Sequence, residues 1–406
     1  LAGLRVLESR SQMGIATGLK YPQQKFAAGG VNRISPSENA GQGISSFNQY
    51  DLGASLAWEM DFWGLFLRGI ESADAALDAS VADYDDSMVL VTAQVVENYV
   101  LIRTLEEQLR IARNNLKLQQ RSYDIAEVLY RQGEDSELDV QQALTLLLST
   151  KATVPDLETQ LALAQNALNT LLGQENGFVE ALIPPGPIPE VPGQVAVGIP
   201  ADLLRRRPDV RQAELQAVAQ NAQVGVATAD LYPSIALTGS LGVVSISSGV
   251  GGGGASELFS SDSLTYTAGA SFKWPFMNYG RIRNNIRVQD ARLQQTLVAY
   301  QQSVLQAAQE VDDAMLSLAG AQAQIEILID TVEAAQRSND LSVLQYKEGF
   351  SGYQRVLDAQ KSLFSQQNRY AATKGLAVRS LISLYKAMGG GWEVREGRPF
   401  VDEETL

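Results

Sequence analysis

The side chains that carry most enzyme chemistry are absent from this chain. Its 406 residues include neither Cys nor His, which removes thiol nucleophiles, imidazole acid–base work and Cys/His metal sites. Carboxylates are plentiful, but none stands in a recognisable arrangement with a nucleophile or a metal-ligand set, so no enzyme, cofactor or metal is expected. Two clusters could bind anions. Arg205, Arg206 and Arg207 precede Pro208-Asp209. Pro-Asp is a helix-opening signal, so these arginines read better as partners of acids beside that helix start. Gly251 to Gly254 lacks a following Gly-Lys-Ser/Thr and opens no helix, which makes it a surface loop rather than a phosphate cradle. The net charge of −14 argues against a nucleic-acid partner, because phosphates need clustered Lys and Arg.

What remains is a set of aromatic residues at the ends of alternating segments. Ile235, Leu237, Leu241 and Val243 alternate with Ser234, Thr238, Ser240 and Gly242. Tyr266, Ala268, Ala270, Phe272 and Trp274 alternate with Thr265, Thr267, Gly269, Ser271 and Lys273, and Tyr50, Leu52, Ala54, Leu56 and Trp58 with Asp51, Gly53, Ser55 and Glu59. A fourth strand, about 23–32, is weaker. Alternation over about 10 residues fits a transmembrane strand and a half-buried soluble strand equally. The aromatics favour the membrane. Tyr21 and Tyr232 sit where each hairpin begins, and Trp58, Trp63, Trp274 and Tyr279 where it ends. In an up-and-down hairpin these positions share one end, a belt of the kind that sits at a membrane boundary. Leu56, Leu237 and Phe272 would then face lipid, and Ser55, Thr238 and Lys273 a lumen. No apolar run approaches the roughly 18 residues of a membrane-spanning helix. Four strands cannot close a barrel and open edges cannot face lipid, so the chain must oligomerise if it spans a membrane. A trimer gives twelve strands, though the residues alone do not choose that number.

The elements that position these residues occur twice. YDLGASLAWEMDFWG (Tyr50 to Gly64) returns as YTAGASFKWPFMNYG (Tyr266 to Gly280), a spacing of 266 − 50 = 216. Gln12 to Pro22 returns as Gln223 to Pro233 at a spacing of 211, so the loop length changed between Pro22 and Tyr50. Helix formers fill about 65–132 and 281–348, each able to span about 100 Å at 1.5 Å per residue. Leu105, Leu109, Ala112, Leu116, Tyr123, Ala126 and Tyr130 step by three and four, with Gln119 in one slot, as a coiled-coil seam does. Second helices follow at about 136–172 and 352–388, and Pro155 should kink or break the first of them. Shorter helices precede the hairpins, at about 1–20 and 208–231. The expected division is a first repeat over 1–183, a Pro-rich connector over 184–200, a second repeat over 201–389 and a C-terminal tail over 390–406.

Four stretches carry a family likeness: IPADLLRRRPDV (Ile199 to Val210), SYDIAEVLYRQGEDSELDVQQA (Ser122 to Ala143), QYKEGFSGYQRVLDAQKSLF (Gln345 to Phe364) and YKAMGGGW (Tyr385 to Trp392). With them the chain resembles the outer-membrane factor family of TolC-like exit ducts, and most of all its OprM-like branch. The resemblance implies a mixed α and β membrane protein. Three chains would give four strands each to a 12-stranded transmembrane β-barrel, continued by a long periplasmic α-helical barrel with a small equatorial domain. It implies a passive duct in the bacterial outer membrane for a tripartite RND-type efflux pump, conducting drugs or other small toxic compounds. The implied partners are two further copies (a homotrimer), a periplasmic adaptor (membrane fusion protein), an inner-membrane RND transporter and outer-membrane lipid. It also implies residues ahead of Leu1, in many members beginning at a lipidated cysteine. The outer channel of a type I protein secretion system has the same fold, but the IPADLLRRRPDV and YKAMGGGW motifs favour the efflux branch. A soluble coiled-coil scaffold is the alternative of a different class, and it would stay soluble without detergent.

In that family the second-repeat tip reads Tyr-x-x-Gly, then a gate Asp beside Ala; here these are Tyr346, Gly349, Asp358 and Ala359. The first repeat offers Tyr130, Gly133 and Asp139. The implied periplasmic gate is Asp139, Tyr346, Gln354, Arg355, Asp358 and Lys361. Arg355 stands where many members carry a second Asp, which suggests a contact between Arg355 and an acid. The turns Gly133-Glu134-Asp135 and Gly349-Phe350-Ser351 are the implied docking grooves for the adaptor's hairpin.

Overall fold

The computed structural model describes residues 1–37, 46–192, 206–247, 253–391 and 400. In chain order the elements are α1 (Ala2–Gly18), β1 (Gln24–Ile34), β2 (Phe47–Met60), α2 (Leu65–Gln132), α3 (Glu137–Leu171), α4 (Phe178–Leu182), α5 (Pro208–Ala229), β3 (Ser234–Ser247), β4 (Leu264–Lys273), α6 (Arg281–Lys347) and α7 (Gln354–Ala387). They gather into two compact units that cut across the repeats. One is drawn mostly from Leu1–Tyr84 and Arg211–Ser303, the other from Asp85–Val210 and Val304–Arg398.

The first unit holds one antiparallel sheet in the order β1-β2-β3-β4. Directly paired residues share a face, so the register can be checked against the alternation. Trp58 pairs with Leu237, Leu56 with Gly239, and Ile235 with Phe272, which puts Leu56, Leu237 and Phe272 on one face. Ser55 pairs with Ser240, Ala57 with Thr238, and Ser234 with Lys273, which puts Ser55, Thr238 and Lys273 on the other. The weak strand pairs along its full length, from Gln24–Ala57 to Ile34–Phe47.

The register also locates the change in loop length. Tyr50 pairs with Val31, and its counterpart Tyr266 pairs with Leu241, so β1 corresponds to β3 at a spacing of 241 − 31 = 210. The first copy therefore has one extra residue between Pro22 and β1. Gln23 lies in that gap, and its side chain stands in for a ladder residue. It accepts from Glu59 N at 2.8 Å and donates to Glu59 O at 3.2 Å.

The second unit is helical. Ile102 and Leu105 of α2 pack on Ala164 and Leu168 of α3 and Val179 of α4, while Val311, Ala314 and Leu318 of α6 pack on Leu384 and Ala387 of α7. α2 and α7 approach closely at Gly375, where a Cβ would lie 2.2 Å from Thr104 Oγ1. The four longest helices of the chain end alike. Gly133, Gly173, Gly349 and Gly389 each adopt a positive φ after the last turn. At Gly133 the amides of Gly133 and Glu134 return to Tyr130 O and Leu129 O, and at Gly349 those of Gly349 and Phe350 return to Tyr346 O and Gln345 O. This is the Schellman arrangement, which needs a residue without a Cβ penalty in the left-handed region.

Three expectations need correcting. Of the kink or break expected at Pro155, the break is not found: α3 runs unbroken from Glu137 to Leu171. Pro155 and Lys151, whose carbonyl loses its donor, are both exposed, so water can take that bond. α2 does contain a stretch long and apolar enough by composition to cross a membrane; scattered polar residues hide it from a search for unbroken apolar runs. Gly254 opens a single 3-10 turn, Gly254–Glu257.

Of the connector, Pro184 to Pro192 is described and has no helix or strand. It is fastened by Arg103, which donates to Pro184 O at 2.8 Å and pairs with Glu106 at 2.8 Å, and by Ile188, buried against Val100 and Val378. Ile199 to Leu204, Arg205, Gly251 and Trp392 lie outside the described residues, as does most of the tail. Arg207 behaves as expected of a residue beside a helix start. It pairs with Asp209 and Glu310, each at 2.8 Å, and donates to Ala387 O at 3.0 Å.

Candidate functional site

Two places gather the residues singled out by sequence. The first lies where the long helices turn. The Gly133 turn hands the chain to Ser136, whose hydroxyl caps α3 by accepting from Asp139 N at 3.4 Å. That cap holds Asp135 and Asp139 beside each other at the start of α3. Tyr346, near the end of α6, donates its hydroxyl to Asp135. Its ring is 4% exposed and meets Tyr353 edge to face at 5.3 Å. Around them pack Ala126, Val140, Ala143, Leu146, Val356 and Leu357. The two repeats are not equivalent here, since Tyr130, the counterpart of Tyr346, is 43% exposed.

The electrostatics of this cluster are uneven. Burial, and then the neighbouring Asp135, push the Asp139 carboxyl up to about 6. Burial also acts to raise Asp135, but hydrogen bonds from Asp139, Tyr346 and the Ser136 amide outweigh it and hold Asp135 below the ordinary range. Burial, followed by the charge of Asp139, pushes the Tyr353 phenol up to about 12. Burial raises Tyr346 too, reinforced by Asp135. The arrangement therefore keeps one negative charge on Asp135 and a shared proton near Asp139 in mildly acidic solution.

The gate residues named from sequence fall into two groups. Asp139 and Tyr346 meet in this cluster, with Asp135 joining them from the stretch assigned to docking. Gln354, Arg355, Asp358 and Lys361 lie on the exposed side of α7. Within the chain Asp358 is held by Gln354, whose amide donates to both carboxylate oxygens at 3.1 Å. The contact expected between Arg355 and an acid is not made within the chain among the described residues. A Gln four residues before an Asp is a favoured helical pair, and it takes the carboxylate first. Of the docking residues, Gly133, Glu134, Gly349 and Phe350 are exposed, Phe350 strongly, while Asp135 and Ser351 are half-buried. Sequence reasoning missed Tyr353, which is almost fully buried. Its repeat counterpart is Glu137, so the search for matching residues passed over it; its place seven residues after Tyr346 across a glycine turn was the available signal.

The second place is the end of the sheet nearest the helices. Trp58 donates its indole N–H to Lys20 O at 3.2 Å, and Trp274 donates to Leu231 O at 3.1 Å. Trp63 donates to Pro233 O at 2.8 Å and stacks on Tyr232 with ring centroids 4.6 Å apart. The aromatic residues named from sequence therefore do share one end, each Trp with its polar edge tied to backbone. Tyr21 and Tyr279 do not join that stack, and Tyr279 lies at a positive φ of 50°. No group of three or more carboxylates among the described residues converges as a metal site would.

Comparison with known proteins bears on both places. The family profile described as "Outer membrane efflux protein" matches residues 2–174 and 199–390. "Pyoverdine export outer membrane protein OpmQ" of Pseudomonas aeruginosa is 30% identical over 397 residues, covering 96% of this chain and 81% of that protein. "Toluene efflux pump outer membrane protein TtgF" of Pseudomonas putida is 31% identical over 385 residues, covering 94% and 76%. Among solved structures, "the outer-membrane channel OprN" superposes with a TM-score of 0.90 at 30% identity, covering 97% of this chain and 86% of that one.

Proposed function

Because the chain belongs to the outer membrane efflux protein family, we propose that three copies of it form the passive exit duct of a tripartite RND-type pump. It is an outer-membrane protein with the fold of the family's channels. The observation that carries the duct reading is the sheet: across β2, β3 and β4 one face is mainly apolar and the other mainly polar, although β1 sets Lys25 and Arg33 on the first and Phe26 and Ile34 on the second, and β1 and β4 are left as edges. Three such sheets joined edge to edge close a barrel with its apolar face outward and a polar lumen. The exposed Trp and Tyr residues at the sheet's helix end then sit at the membrane boundary, and the helices continue into the periplasm. We assign the cluster at Asp135, Asp139 and Tyr346, with the exposed α7 face at Gln354, Arg355, Asp358 and Lys361, to the closed tip. The turns at Gly133 and Gly349 would receive a periplasmic adaptor, which in turn engages an inner-membrane RND transporter. The cargo is drugs or other small toxic compounds. Support for small-molecule cargo comes from relatives whose names state pyoverdine export and toluene efflux.

Single-channel recording in planar bilayers tests this reading. The wild-type trimer should conduct weakly. Arg355→Glu replaces a positive with a negative charge in each of three chains around one axis, and repulsion there should raise the conductance several-fold. An intact trimer whose conductance is unchanged by Arg355→Glu and by Asp139→Lys would place the constriction elsewhere.

A further inference from the structure

β1 carries charge on the face that the other three strands keep mainly apolar. Lys25 pairs with Leu56 and Arg33 with Asn48, which sets both cations on the face of Leu237 and Phe272. Both are exposed, and neither pairs with a carboxylate among the described residues. The carboxylates of the strands cannot serve them. Asp51 pairs with Gly30 and Glu59 with Ala236, which puts both on the opposite face. We propose that Lys25 and Arg33 bind the phosphate headgroups of membrane lipids, Lys25 at the boundary nearest the helices and Arg33 at the far one. This rests on the duct reading above and adds the lipid chemistry that the outward face takes.

Their spacing fits the thickness of one membrane. They stand 33 − 25 = 8 residues apart on one strand. At about 3.4 Å per residue that is roughly 27 Å along the strand. A strand tilt of about 40° leaves roughly 20 Å along the membrane normal, against an apolar band about 25 Å tall. Each Cα therefore lies a few ångströms inside one boundary. Lys and Arg have stems long enough to cover that depth and bring the charged head to the headgroups. A cation is costly at mid-membrane but close to neutral near a boundary, which is where these two fall. Between them β1 presents only Ala27, Gly29 and Val31 on this face, an apolar strip against which an acyl chain can lie.

The neighbouring strands mark the same two levels. At the near end, Trp58 lies two residues beyond Leu56, the partner of Lys25, so an outstretched Lys25 reaches the level of the aromatic belt. At the far end the face turns polar: Asn48, the partner of Arg33, pairs with Ser247, and Tyr50 pairs with Ser245. The segment after β3 folds over this end. Ser245 donates its hydroxyl to Gly254 O at 2.7 Å and is buried. Ser245 points to the outward face, so the segment rests against the outside of the sheet, and it leaves the Phe259 ring 77% exposed. A guanidinium, an amide and an open aromatic ring at one end of an outward face suit an amphipathic anion. The phosphate takes charge-assisted hydrogen bonds from Arg33, and the ring sits where headgroup meets acyl chain.

Native mass spectrometry of the detergent-solubilised protein tests this, titrated with phosphatidylglycerol and, separately, with diacylglycerol of the same acyl chains. The wild type should hold phosphatidylglycerol in preference, and inorganic phosphate should not displace it. The double variant Lys25→Gln, Arg33→Gln should lower the phosphatidylglycerol adducts about fivefold, the value of one basic residue at an anionic surface applied at each site. Each single variant should lose a smaller share, and diacylglycerol adducts should stay unchanged throughout. Lys273→Gln removes the same charge from the opposite face and should leave lipid binding as it was. An unchanged double variant, an equal loss in Lys273→Gln, or a loss carried by one of the two cations alone would overturn the proposal. A wild-type trimer that conducts in bilayers but holds no phosphorylated lipid would overturn it while leaving the duct standing. A wild type that neither forms trimers nor conducts would overturn the duct reading and this proposal together.

Discussion

Trp58 and Trp274 make the same hydrogen bond in the two halves of the chain. Each donates its indole N–H to the carbonyl just before a hairpin, Lys20 O at 3.2 Å and Leu231 O at 3.1 Å, and these acceptors are themselves counterparts, 231 − 20 = 211. The bond ties the outgoing strand to the chain entering its partner strand, and holds the ring at the sheet's end. Trp58→Phe and Trp274→Phe should each cost about 0.5–1.5 kcal/mol, the net value of one hydrogen bond. The two effects should be similar and close to additive in thermal unfolding of the detergent-solubilised protein. A large loss from one and none from the other would break the equivalence.

The two faces of the sheet should differ sharply in tolerance. Leu237→Arg places a charge on the apolar face and should cost about 2–4 kcal/mol near mid-membrane, whereas Thr238→Arg on the polar face should cost much less. The yield of folded trimer in outer-membrane extracts reads this out. Equal yields would mean that the lipid and lumen faces are assigned wrongly.

The tip should tighten as pH falls. Asp139 is raised to about 6 from an ordinary value near 4. A carboxyl raised in the packed state contributes stability that is complete below its ordinary value and is lost as pH rises through the raised one. The cluster at Tyr346 should thus be firmest below about pH 4 and loosen between about pH 4 and 6. Asp135 is held low, so its contribution fails only in stronger acid. Channel conductance should therefore decrease from pH 7.5 to pH 5. Asp139→Asn mimics the protonated form and should flatten that dependence at the low-conductance end; a slope unchanged in Asp139→Asn would assign the titration to another group.

Gly375→Ala tests the close approach of α2 and α7. Its Cβ would lie 2.2 Å from Thr104 Oγ1 and 3.0 Å from Cγ2, and Thr104 is buried with its hydroxyl donated to Val100 O at 2.8 Å. Overpacking costs about 1–3 kcal/mol, against roughly 1 kcal/mol of helix propensity gained, so a net loss is expected. Thr104→Ala in the same chain should restore most of it, measured by unfolding in denaturant.

How much of this was legible in the residues differs by level. The repeat, the long helices, their glycine ends and the hairpins could be read because each is written in local pattern. Alternation of Leu237 and Thr238 gives a strand whatever lies beside it, and Gly133 ends a helix because of its own backbone freedom. The likeness of the tip motifs to a family pointed to the duct. What could not be read are contacts between residues far apart in sequence. Tyr346 meets Asp135 across 346 − 135 = 211 positions, and nothing near either residue announces the other. The Gln354–Asp358 pair, by contrast, is a local pattern four residues apart on one helix, which the reading of Arg355 passed over.

The sequence by itself determined the elements, their duplication and the two-faced character of the strands, because periodicity and chirality act within a few residues of each position. The tertiary structure alone decided the pairing register, the one-residue insertion at Gln23 and the uneven proton affinity of Asp135 and Asp139. Register depends on which strand lies alongside, and a carboxyl's proton affinity depends on burial and on charges brought near it by folding. Both are properties of neighbours in space, which a linear pattern does not contain.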